Sequence, residues 1–212
     1  MPYEYILYAP VALVIFILTL GLSIWALLNE DFRDKMLLVP YDMMMYKEYW
    51  RVFTSGFIHG NPLHLSMNIV SFYFFAFILE HRIGHWQFLV LYLAGLFLSN
   101  LATTIRYKND TSFEGSLGAS GAISAIVLSA VIVNPYLNFG LPILTDLFPF
   151  LKLPGYLVAI AFLVYSLVNT FRTTDMRINH VAHFWGAVSG IALTFIIKPK
   201  VVDILEGFIT MF

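Results

Sequence analysis

The sequence contains no cysteine and few charges: only 12% of its 212 residues are Asp, Glu, Lys or Arg, and the formal net charge is -1. The lack of cysteine excludes disulfides, thiolate zinc sites and a cysteine nucleophile. Because there is no basic excess, we expect no nucleic-acid partner. Soluble domains carry about 25% charged residues, so the scarcity of charge also argues against an ordinary soluble domain.

The few charged residues are unevenly spread and leave six long apolar stretches between them. A helix that crosses a bilayer needs roughly 17 to 25 mostly apolar residues. The sequence therefore predicts an all-α, multi-pass membrane protein in which residues 1–212 form one domain, a bundle of six transmembrane helices. The predicted spans are 8–28, 61–80, 86–105, 117–134, 155–172 and 180–197.

Three segments outside the spans are also apolar in part. The long first loop, 30–60, mixes charges with methionines and aromatic residues, which predicts a partly embedded loop. The segment 134–155 contains four prolines and fits either a re-entrant or interfacial connection or an apolar linker. The tail, 198–212, is too short to span and is predicted to lie along the membrane surface.

Polar side chains are costly inside a bilayer, so those within spans are informative. In the second span His64 and Asn68 are four residues apart and lie on one helical face. Both can donate hydrogen bonds, which suits an anionic oxygen. A purely structural role, as polar contacts between helices, remains open for this pair.

The fourth span begins with a serine between two glycines, Gly118-Ala119-Ser120-Gly121. Glycines leave the hydroxyl of Ser120 accessible, and a helix start offers unpaired backbone N–H groups that can stabilise an oxyanion. This arrangement is typical of a nucleophile. Close helix packing through small residues is the alternative interpretation.

The sixth span supplies a candidate base for that serine. His183 lies one turn inside the span, whereas His180 lies at its wet end. Gly186 and Gly190 follow as a pair of small residues that permits close approach to the fourth span. Such packing would bring His183 towards Ser120, and histidine can take a serine proton near neutral pH.

Taken together, these motifs resemble those of the rhomboid family of intramembrane serine proteases. The match extends from about Tyr49 to Gly190. Its further elements are the loop pair Trp50-Arg51, the His64 and Asn68 spacing, and an Ala-His-x-x-Gly motif. That last motif reads Ala182-His183-Phe184-Trp185-Gly186.

The resemblance implies a catalytic dyad of Ser120 and His183, without metal or cofactor. His64, Asn68 and the N–H of Ser120 would form the oxyanion site, and Trp50 and Arg51 would have a structural role. Substrates would be transmembrane proteins that enter laterally from the lipid bilayer. The alternative is a catalytically inactive rhomboid-like protein that binds membrane helices.

Other protease chemistries fit less well. No HExxH motif occurs, so no metal site is expected, and the acids lie in loops apart from Glu80 at a span edge. Two positions depart from the family pattern. Ser124 stands where members carry an aromatic residue on the catalytic imidazole, and Trp185 stands where a small residue is common, which predicts locally different packing between the fourth and sixth spans.

The resemblance also implies that the N-terminus is cytoplasmic, but the distribution of Lys and Arg leans mildly the other way. Eight lie on the side of the first loop and four on the side of the N-terminus. The first group comprises Arg33, Lys35, Lys47, Arg51, Arg106, Lys108, Arg172 and Arg177, and the second Arg82, Lys152, Lys198 and Lys200. Because the first loop is long and structured, its charges count less, and we keep the family orientation.

Overall fold

A computed structural model describes residues 4–139, 153–171 and 179–210. These residues form eleven α-helices, one 3-10 turn (Ser55–Phe57) and one antiparallel pair of two-residue strands, β1 (Asn138–Phe139) and β2 (Leu153–Pro154). The helices are α1 (Glu4–Leu7), α2 (Pro10–Leu28), α3 (Glu30–Met36), α4 (Pro40–Tyr46), α5 (Arg51–Thr54), α6 (Pro62–Ile83), α7 (His85–Tyr107), α8 (Ser120–Val133), α9 (Gly155–Phe171), α10 (His180–Ile197) and α11 (Val201–Ile209).

Six of these helices are long and apolar, and they begin and end within three residues of the predicted spans. Among the described residues, α2, α6, α7 and α10 are long enough to cross a membrane, whereas α8 and α9 are shorter. The predicted all-α membrane fold is confirmed. The single domain, the surface position of the tail and the nature of segment 134–155 stay predictions, and 140–152 lies outside the described residues.

Side chains and glycine define where the helices near the candidate site begin and end. Asn61 precedes α6 and its Oδ1 accepts the N–H of His64 at 2.8 Å, while Pro62 occupies the first turn, where a missing N–H costs nothing. Gly84 ends α6 with a φ of 99°, which a side chain would disfavour. These caps fix the depth at which His64 enters the bundle.

Glycines allow α8 and α10 to approach until their backbones touch. A Cβ atom at Gly186 would collide with the carbonyl of Gly121, and one at Gly190 would collide with the carbonyl of Ala125. The predicted contact of the sixth span with the fourth is therefore present, and it passes through the predicted glycines. Almost all of α8 is buried as a result.

The first loop folds into short helices held by one arginine. Nη1 of Arg51 donates to the backbone oxygens of Asp34 and Leu37, each at 2.7 Å, and its guanidinium pairs with Glu48 at 2.6 Å. Beneath it, three side chains form a small buried cluster: Leu38, Met43 and Val52. The loop is thus partly buried, as predicted, while Trp50 is 53% exposed.

A carboxylate lies inside the bundle, where the sequence suggested a span edge. Helix α6 continues three residues past Glu80, whose side chain is fully buried. The carboxylate accepts the N–H groups of Val11 at 3.1 Å and Ala12 at 2.6 Å, and it pairs with Nδ1 of His85 at 2.6 Å. Glu80 therefore caps the start of α2, which has unpaired N–H groups and a positive dipole end.

Candidate active site

The chain turns directly before Ser120, with Ala119 already in the helical region, and Ser120 is the first residue of α8. Gly118 has a φ of 114°, and a Cβ there would lie 2.7 Å from Cε1 of the His64 ring. Both the backbone conformation and the available space thus require glycine. The ring of His64 consequently lies directly against the segment that presents Ser120.

Backbone hydrogen bonds fix this segment to the first loop. Leu38 and Ser116 exchange two of them, at 3.0 and 2.8 Å, and the N–H of Gly118 donates to the oxygen of Ser55 at 2.9 Å. The folded first loop, which Arg51 holds together, therefore sets the position of residues 116–118. This gives the Trp50-Arg51 motif a physical link to the serine.

Asn179 connects the same segment to the helix that carries His183. Its Oδ1 caps α10 by accepting the N–H of Ala182 at 3.0 Å. Its Nδ2 donates to the hydroxyl oxygens of Ser116 at 2.8 Å and Thr103 at 2.9 Å. One amide thus ties the start of α10 to the residues before Ser120; the sequence analysis did not identify it, although an Asn before an apolar helix is a recognisable cap.

Ser120 and His183 lie beside the closest contact between α8 and α10. A Cβ at Gly121, next to Ser120, would be 3.4 Å from the oxygen of Ala182, next to His183. Both side chains are half-buried. Within the described residues no hydrogen bond joins them. Nucleophile and base are often loosely placed without substrate and tighten in the reacting complex.

The two positions that depart from the family pattern have clear structural settings. The hydroxyl of Ser124 donates to the backbone oxygen of Ser120 at 2.7 Å, so it is turned onto its own helix. An aromatic ring near His183 comes instead from α9, where the Phe162 ring centre lies 6.0 Å from that of the imidazole. Trp185 is 47% exposed and packs edge-on against Phe184, which leaves the glycine contact undisturbed.

The predicted oxyanion pair lies on the side of the serine segment that faces α6. Asn68 is buried, and its Nδ2 donates to the backbone oxygen of His64 at 2.9 Å. The amide is therefore fixed against its own helix, and a second N–H remains on the same nitrogen. The half-buried ring of His64 lies against Gly118.

Behind this pair lies a histidine that the sequence analysis missed. His59 is fully buried; its Nδ1 is 2.8 Å from the hydroxyl of Ser23, and its ring packs edge-on against His64 with centres 4.9 Å apart. The N–H of Ala119 points at its Nε2 at 3.5 Å. Burial, and to a lesser degree the neighbouring His64, lower the pKa of His59 well below its ordinary value, so its ring is neutral.

One signal in the sequence could have found this contact. Ser23 is a polar residue within the first span, and polar residues in spans usually meet a polar partner. The described residues contain no cluster of three metal-binding side chains. The polar groups around Ser120 can thus present a hydroxyl, a base and hydrogen-bond donors, which are the groups that acyl transfer requires.

Comparison with known proteins relates the chain to one family. A family model for the rhomboid domain matches residues 46–200. The chain is 27% identical over 195 residues to "RHOMBOID-like protein 12, mitochondrial" of Arabidopsis thaliana, covering 83% of this chain and 55% of that protein. It is 26% identical to "Rhomboid-like protease 3" of Toxoplasma gondii (78% and 58% covered) and 25% identical to "Rhomboid protease GlpG" of Klebsiella pneumoniae (79% and 53% covered). The chain thus spans little more than half the length of these relatives.

Proposed function

Since the chain belongs to the rhomboid family, we propose that it is an intramembrane serine protease that hydrolyses peptide bonds in or near the transmembrane helices of other membrane proteins. The observation that carries this proposal is the glycine contact between α8 and α10, beside which Ser120 and His183 lie. Relatives named as proteases support it at the level of the family.

In the proposed reaction the hydroxyl oxygen of Ser120 attacks the scissile carbonyl while His183 takes the proton. His183 then gives that proton to the leaving amine, and an acyl-enzyme remains. Water attacks this ester with His183 again as the base, which releases the acid and restores Ser120. The chemistry needs no metal or cofactor.

The tetrahedral oxyanion would be stabilised by His64, Asn68 and the N–H of Ser120. The last of these is in the first turn of α8, where N–H groups lack intrahelical partners. Such donors are typically worth about 10² to 10³ in rate each in serine proteases. The substrate would be a membrane helix that enters from the bilayer and unfolds locally, because a helical peptide bond is poorly accessible.

Labelling with a fluorescent fluorophosphonate tests the nucleophile directly, in detergent and in liposomes. We expect the wild type to label, Ser120→Ala to remain unlabelled and His183→Ala to label far more slowly. Ser124→Ala is the matched control, because this serine lies one turn along the same helix and should label like the wild type. Cleavage of a reporter transmembrane helix should follow the same order.

The inactive alternative makes the opposite prediction. Ser124 in place of an aromatic residue and the lack of a hydrogen bond between Ser120 and His183 in the described structure favour it as the second candidate. If the folded wild type stays unlabelled in both environments yet captures membrane helices, the protein is a binding protein and the protease proposal fails.

We further propose that the N-terminus is cytoplasmic, as the family resemblance implies. By the order of the helices, the starts of α6, α8 and α10 then lie together on the opposite side, with the first loop. Because the chain has no cysteine, single-cysteine variants report orientation cleanly. An impermeant maleimide applied outside should label Met45→Cys but not Gln87→Cys; the reverse result would invert the orientation.

A further inference from the structure

We propose that His59 is a positioning residue of the oxyanion site, which orients the His64 ring and the backbone before Ser120 and is itself held by Ser23 on α2. This inference rests on the proposed function. It starts from the fact that one fully buried side chain touches both the donor ring and the serine segment.

The hydrogen bonds around Ser23 determine where the His59 proton lies. The hydroxyl of Ser23 has one hydrogen, and it donates this to the backbone oxygen of Phe57 at 3.1 Å. We therefore assign the same oxygen as the acceptor of a proton on Nδ1 of His59, which lies 2.8 Å away. The opposite nitrogen, Nε2, is then an acceptor, and the N–H of Ala119 points at it at 3.5 Å; the Asn68 side chain also hydrogen-bonds to this ring.

The two sides of the ring thus have separate tasks. Through Nε2, His59 holds the Gly118–Ala119 peptide unit, one unit before the one that carries the Ser120 N–H, and so restricts the backbone that leads into that N–H. Through its face and edge, the ring fills the space behind His64, with ring centres 4.9 Å apart. It also lines the space beside Gly118, where a Cβ would lie 3.6 Å from Cδ2 of His59, an ordinary van der Waals contact.

Without this ring, His64 would have room to turn away from the oxyanion and the Ala119 peptide would lose its acceptor. Donors that are not fixed in advance stabilise a transition state less well, because reorienting them consumes part of the binding energy. The effect should therefore appear in kcat more than in KM. A residue that only fills space would instead lower stability and activity in parallel.

Two amide variants separate the two nitrogens. The side-chain oxygen of Gln reaches approximately the place of Nε2, whereas Asn reaches only the place of Nδ1. His59→Gln can therefore accept from Ala119 while it abandons Ser23, and His59→Asn can meet Ser23 while it abandons Ala119. Ser23→Ala removes the anchor and leaves the ring.

For the wild type, these three variants and His59→Ala, we would measure the fluorophosphonate labelling rate and the melting temperature. We would also measure kcat and KM for cleavage of a reporter helix. We expect His59→Gln to keep kcat within about 3-fold, and His59→Asn and His59→Ala to lose about 10-fold or more at unchanged KM. Ser23→Ala should lie between them. The proposal is overturned if kcat of His59→Asn equals or exceeds kcat of His59→Gln. It is also overturned if the loss of kcat in every variant is proportional to its loss of melting temperature.

A second measurement does not depend on activity. In ¹⁵N-histidine spectra at neutral pH, the resonances that disappear in His59→Gln should be those of a neutral ring protonated at Nδ1, and the His64 resonances should shift in the same variant. The other tautomer, or an undisturbed His64, overturns the proposal. An unlabelled wild type would refute the proposed function instead, and these spectra would still decide the role of His59.

Discussion

Two short apolar helices of this protein, α8 and α9, have nearly opposite surroundings. Eleven of the fourteen residues of α8 are buried, against three of seventeen in α9, namely Gly155, Ala159 and Ser166. Both helices contact α10, but α8 does so through glycine and alanine backbones. In the described structure α9 does so through side chains, with Phe162 beside His183, Tyr165 beside His180 and an apolar cluster that includes Ala159.

The difference shows that two helices of similar hydropathy can differ in how firmly they are held in the bundle. Small residues in α8 let neighbouring backbones interlock, so the helix that carries Ser120 has almost no freedom to shift. Most of the large side chains of α9 face outward, among them Leu157, Ile160 and Phe171, and lipid solvates them as well as a protein core would. We therefore expect α9 to move at a lower free-energy cost than α8.

We expect the largest effect from a substitution that breaks the glycine contact between α8 and α10. Gly186→Val would place a branched side chain against the carbonyl of Gly121, which cannot move aside. We expect destabilisation of about 3 kcal/mol or more and loss of labelling at Ser120, measured by thermal unfolding and fluorophosphonate reactivity. Gly207→Ala, where a Cβ meets open space, is the matched control and should change neither. A stable, reactive Gly186→Val protein would contradict the close packing.

The next effect concerns Glu80, which joins α2 to the interlocked part. Glu80→Ala leaves the N–H groups of Val11 and Ala12 without their acceptor, and we expect a loss of about 1 to 3 kcal/mol in thermal unfolding. Glu206→Ala, an exposed acid on α11, serves as the control and should be nearly neutral. Equal stabilities of the two variants would show that the cap contributes nothing.

On α9 we expect stability and reactivity to separate. Phe162→Ala removes the ring beside His183 and should lower the labelling rate about 10-fold, less than the 10² to 10⁴ that a whole acid–base group typically contributes, with little change in melting temperature. Val164→Ala, two residues along and 53% exposed, should alter neither quantity. If Phe162→Ala instead lowers stability as strongly as Gly186→Val does, the contrast between the two helices is wrong.

The smallest effect is a pH dependence that belongs to the interior of the bundle. Because the pKa of His59 is lowered on folding, the unfolded chain binds more protons below about pH 6.5, the ordinary value. Stability should therefore fall as the pH drops below 6.5, which unfolding at pH 7 and pH 5 would detect. In His59→Gln the stability should depend less on pH than in the wild type. An equal loss of stability between pH 7 and pH 5 in both proteins would show that His59 is not the cause.

The sequence predicts the helices well because each apolar stretch carries its own local signal. It also indicates Ser120, His183, His64 and Asn68, whose types and spacings are distinctive. It does not indicate which groups Ser23, Glu80 and Asn179 contact, because their hydrogen-bond partners lie 36, 68 and 63 positions away in the sequence. A single polar residue has no periodicity, so only the packed chain reveals which group satisfies it.

The cap that Glu80 provides also bears on the order in which the chain is made. Helix α2 is synthesised before α6, and the carboxylate that accepts the N–H of Ala12 follows 68 residues later. Until then the first turn of α2 needs water for its open N–H groups, which holds that end at the membrane surface. The depth of α2 in the membrane is thus fixed only after α6 has been made. Helix α2 lies before residues 46–200, the segment that matches the family, yet its position depends on a residue within that segment.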